Sequence, residues 1–345
     1  MAASDHPASD LIALDVGGAN LKAADGLGWA TSVPFAMWRE WRRLPDALAS
    51  LLSSHPRRIV ATMTGEIADC FPRRAAGVRH IVSSLEAAAQ RVGCDDIGIY
   101  RVDGRFESPR AACEDPLAVA ASNWHAVARL AASLAPTDRS FLIDIGSTTV
   151  DVIPLRDGRP APVAYDDAGR MASGELVYTG MERSPVAAVV RALPYRGEIR
   201  PVASERFAES RDAWLILGGL PEDPASTDTA DGQPATRGAA RVRLARSLLL
   251  EPDDFCEADA LAAAERIAKA QARAVARAID RVADRAGWQP TGFVISGHGD
   301  ALADRVIALG AMSVDNAWIR DRAGGGPARS APAHALALIA RGTLP

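Results

Sequence analysis

Cysteine is scarce in this chain. There are four in 345 residues (Cys70, Cys94, Cys113 and Cys256), and none forms a Cys-x-x-Cys pair or stands at zinc-ligand spacing with a histidine. That excludes a disulfide framework and an evident zinc site, and it reads as reduced, mostly buried thiols. Basic excess is lacking as well. The net charge of −4 leaves no positive field for nucleic acid or a membrane surface, and arginines such as Arg42, Arg43, Arg57, Arg58, Arg73 and Arg74 read as solvated faces. No apolar run has the length to span a bilayer. The first ten residues lack the basic region and apolar core of a secretory signal and read as a frayed tail. His6, His55, His80, His125 and His334 show no ligand spacing. The expectation is a cytoplasmic protein with small-molecule substrates and without nucleic-acid or membrane partners; the sequence is compatible with a homo-oligomer.

What is present is a globular balance, 48% hydrophobic and 24% charged, in a chain long enough for two domains. Periodicity and turn signals predict strands at 11–14, 21–24 and 29–33, with Asp25-Gly26 as a turn. A short helix at 44–52, a strand at 59–63, a helix at 73–92 stopped by Gly93, a strand at 97–102 and one Ala-rich helix at 116–134 follow. Pro136-Thr137-Asp138 reads as a boundary, giving domains 1–138 and 139–345. The second half restarts with strands at 140–145, 148–155 and 159–164, the last two joined by Asp157-Gly158. Residues of about 166–250, rich in Gly, Pro and Asp, read as a loop-bearing insertion, functional or mobile. A long helix at 257–286 ended by Gly287, a strand at 293–295, a helix from about 300 and a terminal helix at about 333–341 complete the chain.

Two stretches carry the chemistry. Leu11–Leu14 leads into Asp15, Gly17, Gly18, Asn20 and Lys22; Phe141–Ile143 leads into Asp144, Gly146, Ser147, Thr148 and Thr149. Each reads as a buried strand ending in a carboxylate, followed by a tight turn. Backbone N–H groups in such a turn can face an anion, Lys22 can neutralise it, and a carboxylate beside an anion cradle implies a metal between them. The duplication raises the weight of a motif that alone is equally a hairpin turn. Asp15 and Asp144 are the candidate Mg²⁺ ligands, or turn-capping aspartates. Gly17, Gly18, Gly146, Ser147, Thr148 and Thr149 are candidate phosphate donors. Lys22 is a phosphate contact or a solvated strand lysine, and Asn20 a substrate ligand or a turn cap.

The order β-β-β-α-β-α in both halves, with a late Gly297-His298-Gly299 turn, resembles the actin, sugar-kinase and Hsp70-like superfold: α/β, two RNase H-like halves with mixed sheets around a cleft. In that superfold the paired hairpins hold phosphates and the late turn lines a nucleoside pocket, which makes Gly297 and Gly299 candidate binding residues. His298 there is a phosphate contact or a structural histidine. Longer strings narrow the resemblance. They are Thr62-Met63-Thr64-Gly65-Glu66, Val102-Asp103-Gly104, Ser122-Asn123-Trp124, Asp144 to Asp151, Gly174-Glu175-Leu176-Val177-Tyr178-Thr179-Gly180 and Thr229-Ala230-Asp231-Gly232. Together they are similar to the hydantoinase A/oxoprolinase family, and within it to a short branch of tetrahydromethanopterin-linked one-carbon transfer pathway proteins.

That branch includes an archaeal enzyme of methanofuran biosynthesis. The resemblance therefore implies a Mg²⁺-dependent transferase with no organic cofactor. It would condense an aminomethylfuran methyl diphosphate with the phenol of a tyramine derivative, releasing diphosphate, as in methanofuran or methylofuran synthesis. Glu66, at a strand end, is the candidate base or substrate ligand, and Asp151 a second metal-shell group or base; the plain alternatives are a helix N-terminal carboxylate and an exposed strand residue. Thr64, Asp103, Asn123, Glu175 and Arg183 are candidate substrate-binding residues. An ATP-binding hydrolase of the hydantoinase/oxoprolinase type or a small-molecule kinase is the alternative. The chain lacks the extra length of hydantoinase A and oxoprolinase chains, and Asp300 stands after the glycine turn where the family pattern has Glu. A non-catalytic subunit is the third reading.

Overall fold

The structure is a computed structural model that describes residues 9–52, 54–310, 315–322 and 330–344; the expected frayed tail, residues 1–8, lies outside them. The chain is α/β and divides into two compact units. The first comprises the residues up to Ser140, Leu155–Asp167 and those from Ala317 onward; the second comprises Phe141–Pro154 and Ala168–Asn316.

The first unit is built on β1 (Leu11–Val16), β2 (Asn20–Ala24), β3 (Ala30–Pro34), β4 (Arg58–Met63), β5 (Asp96–Tyr100) and β6 (Phe106–Glu107), in spatial order β3-β2-β1-β4-β5-β6. β1 pairs antiparallel with β2 and parallel with β4, and β4 is parallel to β5. Every residue of β1 is buried, as its unbroken apolar run requires of a strand covered on both faces. One face packs Ile12, Leu14, Ile59, Ala61 and Met63 against Leu44 and Leu48 of helix α1 (Leu44–Leu51) and Val78, Ile81 and Leu85 of helix α2 (Arg74–Val92). Helix α3 (Asn123–Leu134) follows. Gly93 ends α2 in the left-handed conformation, as its position predicts.

The second unit is built on the sheet β10-β8-β7-β13-β14, with β9 beside β8. Its elements are β7 (Arg139–Ile145), β8 (Val150–Arg156), helix α4 (Asp167–Ser173) and β10 (Leu176–Val177), then the ribbon β11 (Ala192–Tyr195) and β12 (Glu198–Pro201), while β9 (Arg159–Pro160) falls in the segment assigned to the first unit. Helices α5 (Ser210–Leu217), α6 (Arg237–Ser247) and α7 (Glu257–Ala286) come next, then β13 (Gly292–Gly297), helix α8 (Asp300–Leu309) and β14 (Asp315–Trp318); the terminal helix α9 (Ala331–Ala340) belongs to the first unit. Three strands open each half, and this doubled arrangement is that of the actin, sugar-kinase and Hsp70-like superfold.

Four expectations are corrected. The helix expected at 116–134 is broken: Pro116–Val119 and α3 are separated at Ala121, whose φ of 48° is left-handed. There the Ser122 hydroxyl donates to the Tyr100 carbonyl at 3.0 Å and meets Thr62 Oγ1 at 2.7 Å, replacing helical hydrogen bonds with ties to the sheet. The strand expected at 159–164 ends at Pro160, because Pro160 and Pro162 both lack the N–H a ladder needs. The insertion is not a loop region. Its short apolar segments fold on α7, with Val186, Leu193, Tyr195, Ala213 and Leu244 sharing a core with Ala260, Ala263, Ala264 and Ile267. Finally, α9, expected with the second half, packs on β1, β2, β4 and α3, covering the second apolar face of the first sheet. Of the four thiols, all free, only Cys94 is buried.

Candidate functional site

The first hairpin is held by its own strand register. Asp15 on β1 stands opposite Lys22 on β2, and Lys22 Nζ donates to Asp15 Oδ2 at 2.9 Å. Asp15 is buried, and its Oδ1 has no hydrogen-bond partner among the described residues. The turn closes with Gly17 N–H donating to the Asn20 carbonyl at 3.1 Å. Glycine is required at position 17, since a Cβ there would lie 2.7 Å from that carbonyl oxygen. The Gly18 carbonyl accepts from Met37 N–H. A lysine expected to be solvated or phosphate-bound is thus already paired within the sheet, while its carboxylate partner keeps one oxygen spare.

The end of β4 lies alongside. Thr64 N–H donates to the Val16 carbonyl at 3.0 Å, and a Cβ on Gly65 would come within 2.9 Å of the Gly17 carbonyl oxygen. Asp15, Gly17, Thr64 and Gly65 therefore share one edge, at the C-terminal ends of two adjacent parallel strands, where open α/β sheets place ligands. Glu66 follows in a single 3₁₀ turn, and its backbone is pressed so closely on α2 that position 77 tolerates only glycine: a Cβ there would meet the Glu66 carbonyl oxygen at 2.1 Å.

Glu66 is the most unusual group in this unit. Its side chain is fully buried, and neither carboxyl oxygen has a hydrogen-bond partner among the described residues. Burial pushes its pKa up to about 7; backbone N–H dipoles at Glu66 and Ala121 and the Arg74 charge offset this in part, while Asp167 adds to it. Arg74 is itself committed to Asp167, at 2.5 Å. A carboxyl that titrates near neutrality is suited to accept a proton from a weakly acidic hydroxyl.

Asp103 and Asn123, in the same unit, are engaged elsewhere. Asp103 lies in an arginine network with Arg101 and Arg105, and despite some burial those hydrogen bonds bring its pKa down to about 2. Asn123 opens α3, its Oδ1 accepting the Trp124 N–H at 2.8 Å. Behind them the Tyr100 hydroxyl meets His125 Nδ1 at 2.9 Å, and burial, with Arg129 nearby, lowers the His125 pKa to about 4.

The second hairpin is built alike. Gly146 N–H donates to the Thr149 carbonyl at 2.9 Å, as Gly17 does to Asn20. Asp144 is the last residue but one of the preceding strand. A loop at 179–184 folds over the turn: Met181 N–H donates to the Gly146 carbonyl, and Glu182 and Arg183 N–H both donate to that of Ser147. Arg183 thus contributes its backbone to this site. Ser147 and Thr148 lie under Gly180, where a Cβ would stand 2.6 Å from the Ser147 carbonyl oxygen. The late glycine turn joins the same cluster. Gly297, at φ 88°, and Gly299 pack on Ile145, and a Cβ on either would fall 2.1 Å from an Ile145 atom. His298 Nε2 lies 2.9 Å from Glu182 Oε1, and Glu182 Oε2 accepts from Arg211 at 2.6 Å.

Asp151 lies on β8 opposite Leu176 of β10, and Glu175 immediately precedes β10. Asp151 is paired with the buried Arg170, and Glu175 accepts the Ser173 hydroxyl at 2.7 Å. Sequence reasoning missed Arg170, Glu182 and Arg211; a lone charge in a loop gives no signal of its partner. Among the described residues no group of three or more His, Cys, Asp or Glu side chains could alone hold a metal, and no helix is long and apolar enough to cross a membrane.

A family model for hydantoinase/oxoprolinase matches residues 57–341. The chain belongs to the hydantoinase/oxoprolinase family. Within it, the chain is 32% identical over 241 residues to a (4-{4-[2-(gamma-L-glutamylamino)ethyl]phenoxymethyl}furan-2-yl)methanamine synthase from Methanocaldococcus jannaschii, covering 69% of this chain and 71% of that one. A synthase of the same name from Methanococcus vannielii is 36% identical over 108 residues, covering 31% of this chain and 48% of that protein. Among solved structures, an inorganic polyphosphate/ATP-glucomannokinase from Arthrobacter sp. strain KM aligns over 97% of this chain and 99% of its own, at 14% identity and a TM-score of 0.46. An archaeal actin homologue aligns over 96% and 99%, at 10% identity and a TM-score of 0.41. This family membership and the synthase relatives make the chain an enzyme of transferase or synthase type.

Proposed function

We propose that this family member condenses an aminomethylfuran methyl diphosphate with the phenol of a tyramine derivative, releasing inorganic diphosphate, in methanofuran- or methylofuran-type cofactor synthesis. The observation that carries the reading is the 32% identity to the Methanocaldococcus synthase across most of both chains. That relative's name describes an aryl ether between a furanylmethyl carbon and a phenol bearing a γ-glutamylaminoethyl arm. Forming such an ether from a diphosphate breaks the bond between the furanylmethyl carbon and the diphosphate oxygen, and the electron pair leaves with diphosphate. The phenol oxygen bonds to the same carbon and its proton passes to a base. An electron-rich furan can carry positive charge at that carbon, so bond breaking can run ahead of attack.

The residues suit each part. Glu66, with its pKa of about 7 and two oxygens without hydrogen-bond partners among the described residues, takes the phenol proton directly or through a water. Within each hairpin the Gly17 and Gly146 amides close the turn on the Asn20 and Thr149 carbonyls, which leaves Gly18 in the first hairpin, and Ser147, Thr148 and Thr149 in the second, as the proposed donors to diphosphate oxygens. Lys22, beside Asp15, adds fixed positive charge. The spare, buried Asp15 Oδ1 fits an oxygen-seeking divalent cation, and Asp144 is the corresponding carboxylate of the second hairpin. Mg²⁺ held at the Asp15 carboxylate would neutralise charge on the leaving diphosphate. The glycines of the late turn, which suggested a nucleotide site, are required by their packing on Ile145. The test is incubation of the purified protein with both substrates and Mg²⁺. Diphosphate and ether formed in equal amounts support the reading, and no condensation product overturns it.

A further inference from the structure

The long helix α7 carries a row of cations that the transferase reading does not use. Arg266, Lys269, Arg273 and Arg277 are spaced three, four and four residues apart, which puts them on one face, and all four are exposed. They line a groove of about 490 Å³ with Arg191 and the exposed Tyr178, and no carboxylate lines it. None of the five cations has an ion pair or hydrogen-bond partner through its side chain among the described residues, whereas Arg305 beside the same helix is paired with Glu265 at 2.7 Å. Like charges at this spacing weaken a helix, and the whole chain is net acidic at −4. The cluster is therefore neither a cost-free solvated face nor a reflection of composition.

The groove adjoins the second hairpin. At its base the Gln271 amide donates to Thr179 Oγ1 at 2.9 Å and to the Gly180 carbonyl at 2.8 Å, and Gly180 lies on Ser147. We propose that this groove binds an extended small anion carrying several carboxylate or phosphate groups. Its volume is that of a small-molecule site. The row from Arg266 to Arg277 spans about 16 Å at ~1.5 Å per residue, enough for about three anionic groups in line. Four of the five cations are arginines, whose forked donors match carboxylate and phosphate oxygens in pairs. A substrate with glutamyl carboxylates is one source of such an anion, and it rests on the transferase reading; free polyphosphate is another, and it does not.

Calorimetric titration of the full chain with linear tetraglutamate and, separately, with inorganic tripolyphosphate tests this without any turnover. Binding of either is expected, weakening with added salt and falling at least about tenfold in the double variant Arg266→Ala/Arg273→Ala. Tetraglutamate alone points to the substrate source and tripolyphosphate alone to the free anion. Arg110→Ala, an exposed arginine of the first unit paired with Glu114, is expected to bind as the wild type does. No binding of either anion at about 1 mM and low salt, equal binding by the double variant, or tighter binding of duplex DNA than of both anions would overturn the proposal.

Discussion

Replacing Glu66 with glutamine separates its electrostatics from its packing. In the unfolded chain this carboxyl titrates near 4.5; in the fold burial holds it to about 7. Below the lower value the group is protonated in both states. Between the two values the unfolded chain gives up a proton that the folded chain keeps, so stability falls as pH rises. At ~1.4 kcal/mol per pH unit the loss reaches about 3 kcal/mol above neutrality. Glu66→Gln does not titrate. It leaves a buried amide without partners, at a cost of roughly 1–3 kcal/mol that is independent of pH. Urea denaturation of both proteins, from below the lower value to above the upper one, gives the difference directly. Wild type minus variant should shift by about 3 kcal/mol in favour of the variant as pH rises across this window, with Asp212 and other carboxyls cancelling. Activity should move the opposite way. Wild-type turnover should rise with an apparent pKa near 7 as the base deprotonates, and the variant should lose about 10²–10⁴-fold with that inflection abolished. Parallel stability curves for the two proteins would refute the assignment of a buried, partnerless carboxyl. A retained inflection would refute its role as base.

Asp15→Asn leaves Lys22 without its counter-charge; because Lys22 is partly exposed, the expected loss is about 1–2 kcal/mol in denaturant, with diphosphate release falling far more than stability accounts for. Gly297→Ala places a Cβ against the Ile145 carbonyl at a φ of 88°, and should lower the denaturation midpoint by the equivalent of at least about 2 kcal/mol. Arg243→Met strips the fully buried guanidinium from Asp212 and Asp231, and about 3–5 kcal/mol should be lost at neutral pH, less in acid, where Asp212 (pushed up to about 6 by burial) protonates. Proteolysis of the folded Arg243→Met protein should cut first near 221–236, the loop that Asp231 ties to α6.

The hairpins were legible because their demands are local. An apolar strand, a carboxylate and a glycine turn sit within ten residues, and the same grammar recurs at Asp144. The chain order of three strands and alternating helices then gave the superfold. What stayed hidden was set by distant partners. Nothing adjacent to Ala121 announces that Ser122 will bond to Tyr100 and Thr62 and so end a helix. Nothing in the composition of 166–250 shows that Val186, Leu193 and Leu244 will find one core on α7. Lys22 was legible as a cation at the right place, but its pairing with Asp15 depends on strand register. Glu66 was visible at a strand end, whereas its burial, which raises its pKa to about 7, depends on distant packing against α2.

The most direct measurement combines purified protein, Mg²⁺, an aminomethylfuran methyl diphosphate and a γ-glutamyl tyramine derivative, with released diphosphate and product mass followed together. Equimolar diphosphate and aryl ether, abolished by Asp15→Asn and strongly slowed by Glu66→Gln, are the expected result. Folded protein that forms no ether, or that consumes ATP while leaving the diphosphate substrate intact, would contradict the transferase assignment.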